Sequence, residues 1–361
     1  MRPYRSGEQA AVPDDSIALS GRSTCRPTAQ STRALRANAS SQHFCAKASY
    51  DNILRMEFPE TFRKNILENF KEQGAAWLED LPALIRHFEA RWSLQLSDPF
   101  LLSLSYCAPG VQEGNRDVVL KLAVPCEETK HHTLAVLAFD GRGMVRAIET
   151  DLDRGALLME RLRPGSMLVE EVKDDEQATR IAARVMKALW MPVPEGAPFR
   201  TMADWAVEFG QIRSMFRERA CPLPARTIDR TEALFKELLA SEGPVQLLHG
   251  DLHHFNILSV EEDGGQGWRA IDPFGVVGER DVEVGAFMKN PDLALPFTPE
   301  QARKLARRLD VFNEELGLDL QRLTAWSSVY AAVSAWWTIS SDSDGWQVDA
   351  ALADFFAGLL D

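Results

Sequence analysis

A polar loop between two apolar couplets constrains this chain more than any other feature. Residues 247–258 read LLHGDLHHFNIL, and residues 270–273 read AIDP. Short apolar runs around polar residues predict strands joined by turns. This pattern predicts consecutive hairpins, with Asp251 and Asn256 in one loop and Asp272 at the end of the next strand.

These three side chains suit one kind of chemistry. Phosphoryl transfer needs a hydroxyl held in line, a carboxylate that takes its proton, and Mg²⁺ on the phosphates. Asp251 is the predicted base, while the oxygens of Asn256 and Asp272 are the predicted Mg²⁺ ligands. Each could instead be a turn residue. The neighbouring His249, His253 and His254 also allow a zinc interpretation, but no cysteine lies nearby.

Length and composition limit the remaining possibilities. The chain has 361 residues, enough for two lobes, and its five cysteines show no CxxC spacing, which fits a reducing, cytoplasmic location. No apolar run approaches the roughly 18 residues that span a bilayer. The net charge of −13 disfavours nucleic-acid binding and favours a cationic small molecule, although acidity can also serve solubility alone.

The first 50 residues differ from the rest of the chain. They contain seven Lys and Arg but three Asp and Glu, with many small polar residues. Such a composition predicts a disordered basic extension over residues 1–55. It also resembles an organelle transit peptide. We favour a third interpretation, that Met56 is the natural start, because a helical pattern begins there.

Apolar periodicity predicts a β-rich part followed by a helical part. A mostly helical stretch is expected from Arg163 to Gly243, and a turn is expected over 108–115. The predicted helices cover residues 58–73, 75–92, 127–139, 299–316, 320–339 and 347–360, and the predicted strands cover 101–106, 117–124, 144–149 and 156–160.

The motifs and this element order resemble the aminoglycoside phosphotransferase family, in the branch of streptomycin 6-kinase and hydroxyurea phosphotransferase. The resemblance covers roughly residues 56–361. Its most specific segments are 248–258, 270–273 and 275–279, and segments 284–287 and 290–291 belong to the same signature. Segments 140–143, 145–146 and 156–162 also resemble this branch. It implies an α+β, two-lobed, protein-kinase-like fold. The N-lobe would comprise residues 56–160, and the helical C-lobe residues 161–361.

The resemblance also implies roles for particular residues. Lys121, which interrupts an apolar strand, would hold the ATP phosphates, and the hinge at Met159 and Glu160 would bind adenine through backbone groups. His249 would mainly orient the catalytic loop. Acidic residues after the metal aspartate would meet a cationic acceptor through charge-assisted bonds; the candidates are Glu279, Asp281 and Glu283.

Two positions depart from the pattern that the resemblance leads us to expect. His132 stands where the helix glutamate that pairs with Lys121 is expected, so Glu127 or Glu128 would have to take that role or cap the helix. Phe274 stands where a lysine is expected after Asp272-Pro273.

The resemblance implies an ATP- and Mg²⁺-dependent O-phosphotransferase, acting as a monomer on an aminoglycoside such as streptomycin. One alternative is a metabolic kinase of the same fold, or a hydroxyurea phosphotransferase. Another is a nucleotide-binding pseudokinase, supported by the departure at His132 and opposed by Lys121, Asp251, Asn256 and Asp272.

Overall fold

The described residues form two compact units, which divide between Asp117 and Val118. The predictions for residues 1–55 lie outside the described part of the chain, and the lobe boundary at residue 160 stays a prediction. The computed structural model describes residues 57–216, 220–262, 264–291, 293–340 and 345–361.

The first unit begins with a long kinked helix, α1 (Glu60–Arg91). Lys71 has non-helical dihedral angles (φ 49°, ψ −124°), so two helical stretches meet there rather than near Gly74 as predicted. Gly74 is buried, and a Cβ atom at this position would lie 2.7 Å from the Ile66 carbonyl oxygen. The absence of a side chain therefore lets the two stretches pack closely.

Strand β1 (Leu94–Leu96) pairs with β2 (Ser105–Gln112). These two strands differ from the predicted strand at 101–106 and from the predicted turn at 108–115. The predicted strand 101–106 ends where β2 begins, and most of the predicted turn 108–115 lies in β2. The Pro109-Gly110 pair suggested a turn. A Cβ atom on Gly110 would lie 2.7 Å from the Gln95 carbonyl oxygen, so this glycine serves close strand approach instead.

The second unit begins with an antiparallel arrangement in which β3 and β4 both pair with β5. Along β3, Leu120 and Leu122 are fully buried while Lys121 is only partly buried. Alternation along a strand therefore places Lys121 on the face opposite these leucines. The elements are β3 (Arg116–Ala123), α2 (Glu127–Phe139), β4 (Ala147–Asp151), a 3₁₀ turn (Leu152–Arg154) and β5 (Ala156–Glu160).

Two small sheets and a set of helices complete this unit. One sheet has the order β10-β9-β6 and the other β7-β11-β8. The stretch from Arg163 to Gly243 is mostly helical, as predicted, and the short strands β6 and β7 are additions to that prediction. The elements are β6 (Pro164–Met167), α3 (Leu168–Glu171), α4 (Asp175–Leu189), β7 (Arg200–Thr201), α5 (Met202–Gly210), α6 (Ile212–Met215), α7 (Ala225–Ala240), β8 (Gln246–Leu248), β9 (Ile257–Glu262), β10 (Gly265–Ala270), β11 (Val276–Gly278), a 3₁₀ helix (Arg280–Val284), α8 (Gly285–Met288), α9 (Pro299–Leu316), α10 (Leu320–Ser340) and α11 (Trp346–Gly358).

Helix α10 lies at the centre of the core. Every residue from Leu323 to Ser340 is buried, including Trp326, Trp336 and Trp337. A helix that is apolar all round must be covered by neighbours on every side. None of the helices in the described ranges is long and apolar enough to cross a membrane. The α+β class and the helices at 299–316 and 320–339 are confirmed.

Candidate active site

The loop between β8 and β9 is almost wholly buried. His249 is fully buried, and Asp251, His253 and Asn256 are each at most 5% exposed. Gly250 has a φ of +80°, and a Cβ atom here would lie 2.8 Å from Val276. Glycine is therefore required both by backbone conformation and by the close approach of β11.

Glu283 fixes the start of this loop. The backbone N–H groups of His249 and Gly250 donate to its two carboxylate oxygens, at 2.8 and 2.9 Å. Burial raises the pKa of Glu283 to about 7, although these two hydrogen bonds act in the opposite direction. Glu283 therefore holds the backbone beside the predicted base, a role that sequence reasoning missed.

His249 orients the loop through both ring nitrogens. Its Nε2 lies 2.8 Å from the carbonyl oxygen of Ile271 and must donate to it, so Nδ1 accepts the N–H of Asp251 at 3.2 Å. Burial lowers the pKa of His249 to about 4, which keeps the ring neutral. These contacts support an orienting role rather than direct chemistry.

Asp251 is held by neighbours from two elements. Asn256 Nδ2 donates to the Asp251 carbonyl oxygen at 3.0 Å, and the Tyr330 hydroxyl lies 3.3 Å from Asp251 Oδ1. Burial and the Asp251 carboxylate raise the pKa of Tyr330 well above its ordinary value, so the phenol stays protonated and donates. Tyr330 belongs to α10, and nothing in the sequence connected it with Asp251.

Lys121 and Asp272, 151 residues apart, form an ion pair with a distance of 2.7 Å between Nζ and Oδ1. Burial would raise the pKa of Asp272, but the charge of Lys121 and its hydrogen bond lower that pKa below its ordinary value. Asp272 has a φ of +55°, a backbone conformation that aspartate tolerates better than most residues.

Asn256 adjoins the same region. The N–H of Ile271, immediately before Asp272, donates to the Asn256 carbonyl oxygen at 2.9 Å. An amide and one carboxylate fit Mg²⁺, which keeps several waters and takes further oxygens from phosphates. Within the described ranges, no group of three or more His, Cys, Asp and Glu side chains could hold a metal by itself.

The predicted base, phosphate-binding lysine and metal ligands are thus gathered in one place. The family model described as aminoglycoside/hydroxyurea antibiotic resistance kinase matches residues 104–342, well over half of the chain. The chain belongs to this family. It is therefore a kinase that transfers a phosphoryl group to a hydroxyl group.

Similar proteins agree with this assignment. Streptomycin 6-kinase of Streptomyces glaucescens is 28% identical over 291 residues, which cover 80% of this chain and 92% of that protein. Streptomycin 3''-kinase of Klebsiella pneumoniae is 33% identical over 258 residues, which cover 69% and 90%. Choline kinase LicA from Streptococcus pneumoniae is similar in structure, with a TM-score of 0.55 at 13% identity over 78% of this chain and 99% of that one. The predicted kinase-like fold is confirmed.

The two departures from the expected pattern touch each other in this kinase. The rings of His132 and Phe274 meet edge to face, with centroids 5.5 Å apart. Burial, and secondarily Lys121, lowers the pKa of His132 to about 3, so it carries no charge. Glu127 pairs with Lys130, and neither Glu127 nor Glu128 forms an ion pair with Lys121, whose carboxylate partner in the described structure is Asp272.

The residues predicted to form the hinge, Met159 and Glu160, lie at the end of β5. Met159 is buried, whereas Glu160 is only partly covered and its carboxylate accepts the N–H of Arg146 at 2.8 Å. The Glu160 N–H donates to the Arg146 carbonyl oxygen at 3.0 Å. Binding of adenine by this segment stays a prediction.

The three acids predicted to meet the acceptor are engaged inside the protein. Glu279 accepts from Arg322 Nε at 2.6 Å and from the Trp326 indole, and Glu283 anchors the catalytic loop as described above. Asp281 is 7% exposed and one of its oxygens has no hydrogen-bond partner. All three acids are buried, and Glu279 and Glu283 are already bound by groups of the protein itself, so the structure does not favour their contact with an acceptor.

Asp281 provides a test of these internal roles. Burial, together with Glu279, raises its pKa to about 6 from an ordinary 3.8. Because the pKa of Asp281 is higher in the folded than in the unfolded state, its contribution to stability is fully present below about pH 3.8 and is lost as the pH rises through about 6. Asp281→Asn removes that loss. We expect it to raise the free energy of unfolding at pH 8 by about 1–3 kcal/mol, and by much less near pH 4.5.

Urea unfolding at the two pH values measures this difference. Asp310→Asn, at an exposed position, is the matched control and should change stability little at either pH. An equal effect of Asp281→Asn at both pH values would show that the carboxylate does not titrate as described.

Proposed function

We propose that this kinase transfers the γ-phosphoryl group of ATP to a hydroxyl of an aminoglycoside such as streptomycin, with Mg²⁺ as the metal. The observation that carries the proposal is Asp251, which His249, Asn256 and Tyr330 hold in a loop that adjoins the Lys121–Asp272 ion pair. The streptomycin kinases among its relatives support the choice of acceptor.

Each residue has a defined task in this proposal. Asp251 orients the acceptor hydroxyl and accepts its proton while the new oxygen–phosphorus bond forms and the bond to the ADP oxygen breaks. Lys121 binds a phosphate oxygen, and Asp272 and Asn256 hold Mg²⁺, which neutralises charge on the phosphates. Met159 and Glu160 contribute backbone groups for adenine. Monomeric state and cytoplasmic location stay predictions.

A transfer assay tests the proposal. Purified kinase, ATP and Mg²⁺ should phosphorylate streptomycin, and EDTA should stop the reaction. Hydroxyurea and a panel of neutral alcohols are assayed in parallel. Transfer to a neutral metabolite but not to streptomycin would replace the proposal with a metabolic kinase. ATP binding without transfer to any acceptor would indicate a pseudokinase.

A further inference from the structure

A pocket beside the catalytic loop is lined by aromatic and charged residues that have no role in the proposed reaction so far. We call it the aromatic pocket. Its lining includes three large aromatic side chains, two charged residues and two histidines: Trp205, Phe274, Trp337, Glu128, Arg200, His131 and His132. Trp205 and Trp337 meet edge to face with centroids 4.7 Å apart, and Phe274 lies 5.9 Å from Trp337.

Two contacts connect the aromatic pocket with the site of transfer. The Trp205 ring lies 6.0 Å from the ring of Tyr330, whose hydroxyl meets Asp251. Phe274 follows the Asp272-Pro273 pair, and its N–H donates to the His249 carbonyl oxygen at 2.8 Å. Two residues of the pocket wall, Trp205 and Phe274, therefore contact residues that position Asp251.

The charges in the aromatic pocket favour a cation. Arg200 forms an ion pair with Glu208, so its positive charge is offset. His132 is neutral because burial lowers its pKa to about 3, and burial also lowers the pKa of His131, against the opposing effect of Glu127 and Glu128. Glu128 is half-buried and forms no ion pair with any side chain in the described ranges. A carboxylate beside aromatic faces is an arrangement that binds guanidinium and ammonium groups.

We propose that the aromatic pocket is the subsite for a cationic group of the acceptor, with Glu128 as the residue that determines specificity for charge. The proposal rests on the proposed function, because it assigns a part of the same acceptor. Glu128 supplies a charge-assisted hydrogen bond, while the partly exposed Phe274 and the buried Trp205 and Trp337 form the apolar wall beside the cation. Glu128 takes no part in the transfer itself.

Replacing Glu128 with glutamine tests this role against a matched neighbour. Glu128→Gln should raise KM for streptomycin by about tenfold to a hundredfold, the range of a hydrogen bond to a charged group, with kcat and KM for ATP nearly unchanged. Glu127→Gln makes the same change on the same helical turn. Its side chain is 69% exposed and pairs with Lys130, so KM should stay as in the wild type.

The dependence on salt gives a second readout that a purely structural role would not alter. The Debye length shrinks from roughly 10 Å at 0.1 M to about 3 Å at 1 M. KM for streptomycin should therefore rise with ionic strength in the wild type and in Glu127→Gln. The rise should be clearly smaller in Glu128→Gln.

Binding of streptomycin, measured by calorimetry without turnover, tests the aromatic wall. Trp337→Phe should weaken binding severalfold, whereas Trp336→Phe should not, because Trp336 packs against Phe216 and does not line the pocket. Equal KM and equal salt dependence in Glu128→Gln and Glu127→Gln would overturn the subsite while leaving the proposed function intact. A wild type that neither binds nor phosphorylates streptomycin would overturn both.

Discussion

Asp251→Asn should lower kcat for phosphoryl transfer by about 10²–10⁴-fold, the usual contribution of general acid–base catalysis. The amide keeps the size of the side chain and can still meet the Tyr330 hydroxyl, but it cannot accept the proton of the acceptor. Because Lys121 and Asp272 are untouched, affinity for ATP should change little. Steady-state kinetics and nucleotide titration measure the two effects separately.

Asp153→Asn is the matched control for this variant. Asp153 is exposed, lies in the 3₁₀ turn before β5, and loses the same charge. Its kcat should equal that of the wild type. If Asp251→Asn also turned over at a near-normal rate, Asp251 would have no part in proton transfer and the base would have to be sought elsewhere.

Asp272→Ala should abolish transfer. Removing this carboxylate takes away one of the two proposed Mg²⁺ ligands and leaves Lys121, which is only 17% exposed, without the partner that lies 2.7 Å away. Removing one member of a buried ion pair usually lowers the free energy of unfolding by about 3–5 kcal/mol. Some loss of thermal stability is therefore expected as well. The conservative variant Asp272→Asn keeps an oxygen in place and limits that structural loss.

The role in metal binding has its own measurement. Affinity for ATP should fall strongly in both Asp272 variants when Mg²⁺ is present and much less in EDTA. Equal affinity of the wild type for ATP with and without Mg²⁺ would contradict the assignment of Asp272 and Asn256.

Many helices, strands and loop residues could be predicted because their patterns depend on residues close together in the sequence. The alternation around Lys121 and the apolar periodicity of α9 are visible in short windows of sequence. The loop residues Asp251 and Asn256 were found for the same reason, since their spacing along one segment sets their separation. The resemblance placed Lys121 on the ATP phosphates and Asp272 on the metal, but it led us to expect a glutamate rather than Asp272 as the partner of Lys121.

Contacts between distant segments were not accessible in the same way. Tyr330 lies inside a helix that is buried on all sides, so periodicity gave it no face and no role. Glu283 was assigned to the acceptor because it is acidic and follows Asp272, yet its carboxylate points at the backbone of His249 and Gly250. The Pro109-Gly110 pair suggested a turn because the approach of β1 cannot be read from β2 alone.

Helix α10 connects the catalytic loop with the aromatic pocket as well as filling the core. Tyr330, which contacts Asp251, and Trp337, which lines the aromatic pocket, are seven residues apart on this one buried helix. Two such positions are separated by about 10 Å along a helix axis. The packed surroundings of α10 keep that separation constant. A change that shifts α10 along its axis would therefore displace the contact with Asp251 and the wall of the aromatic pocket together.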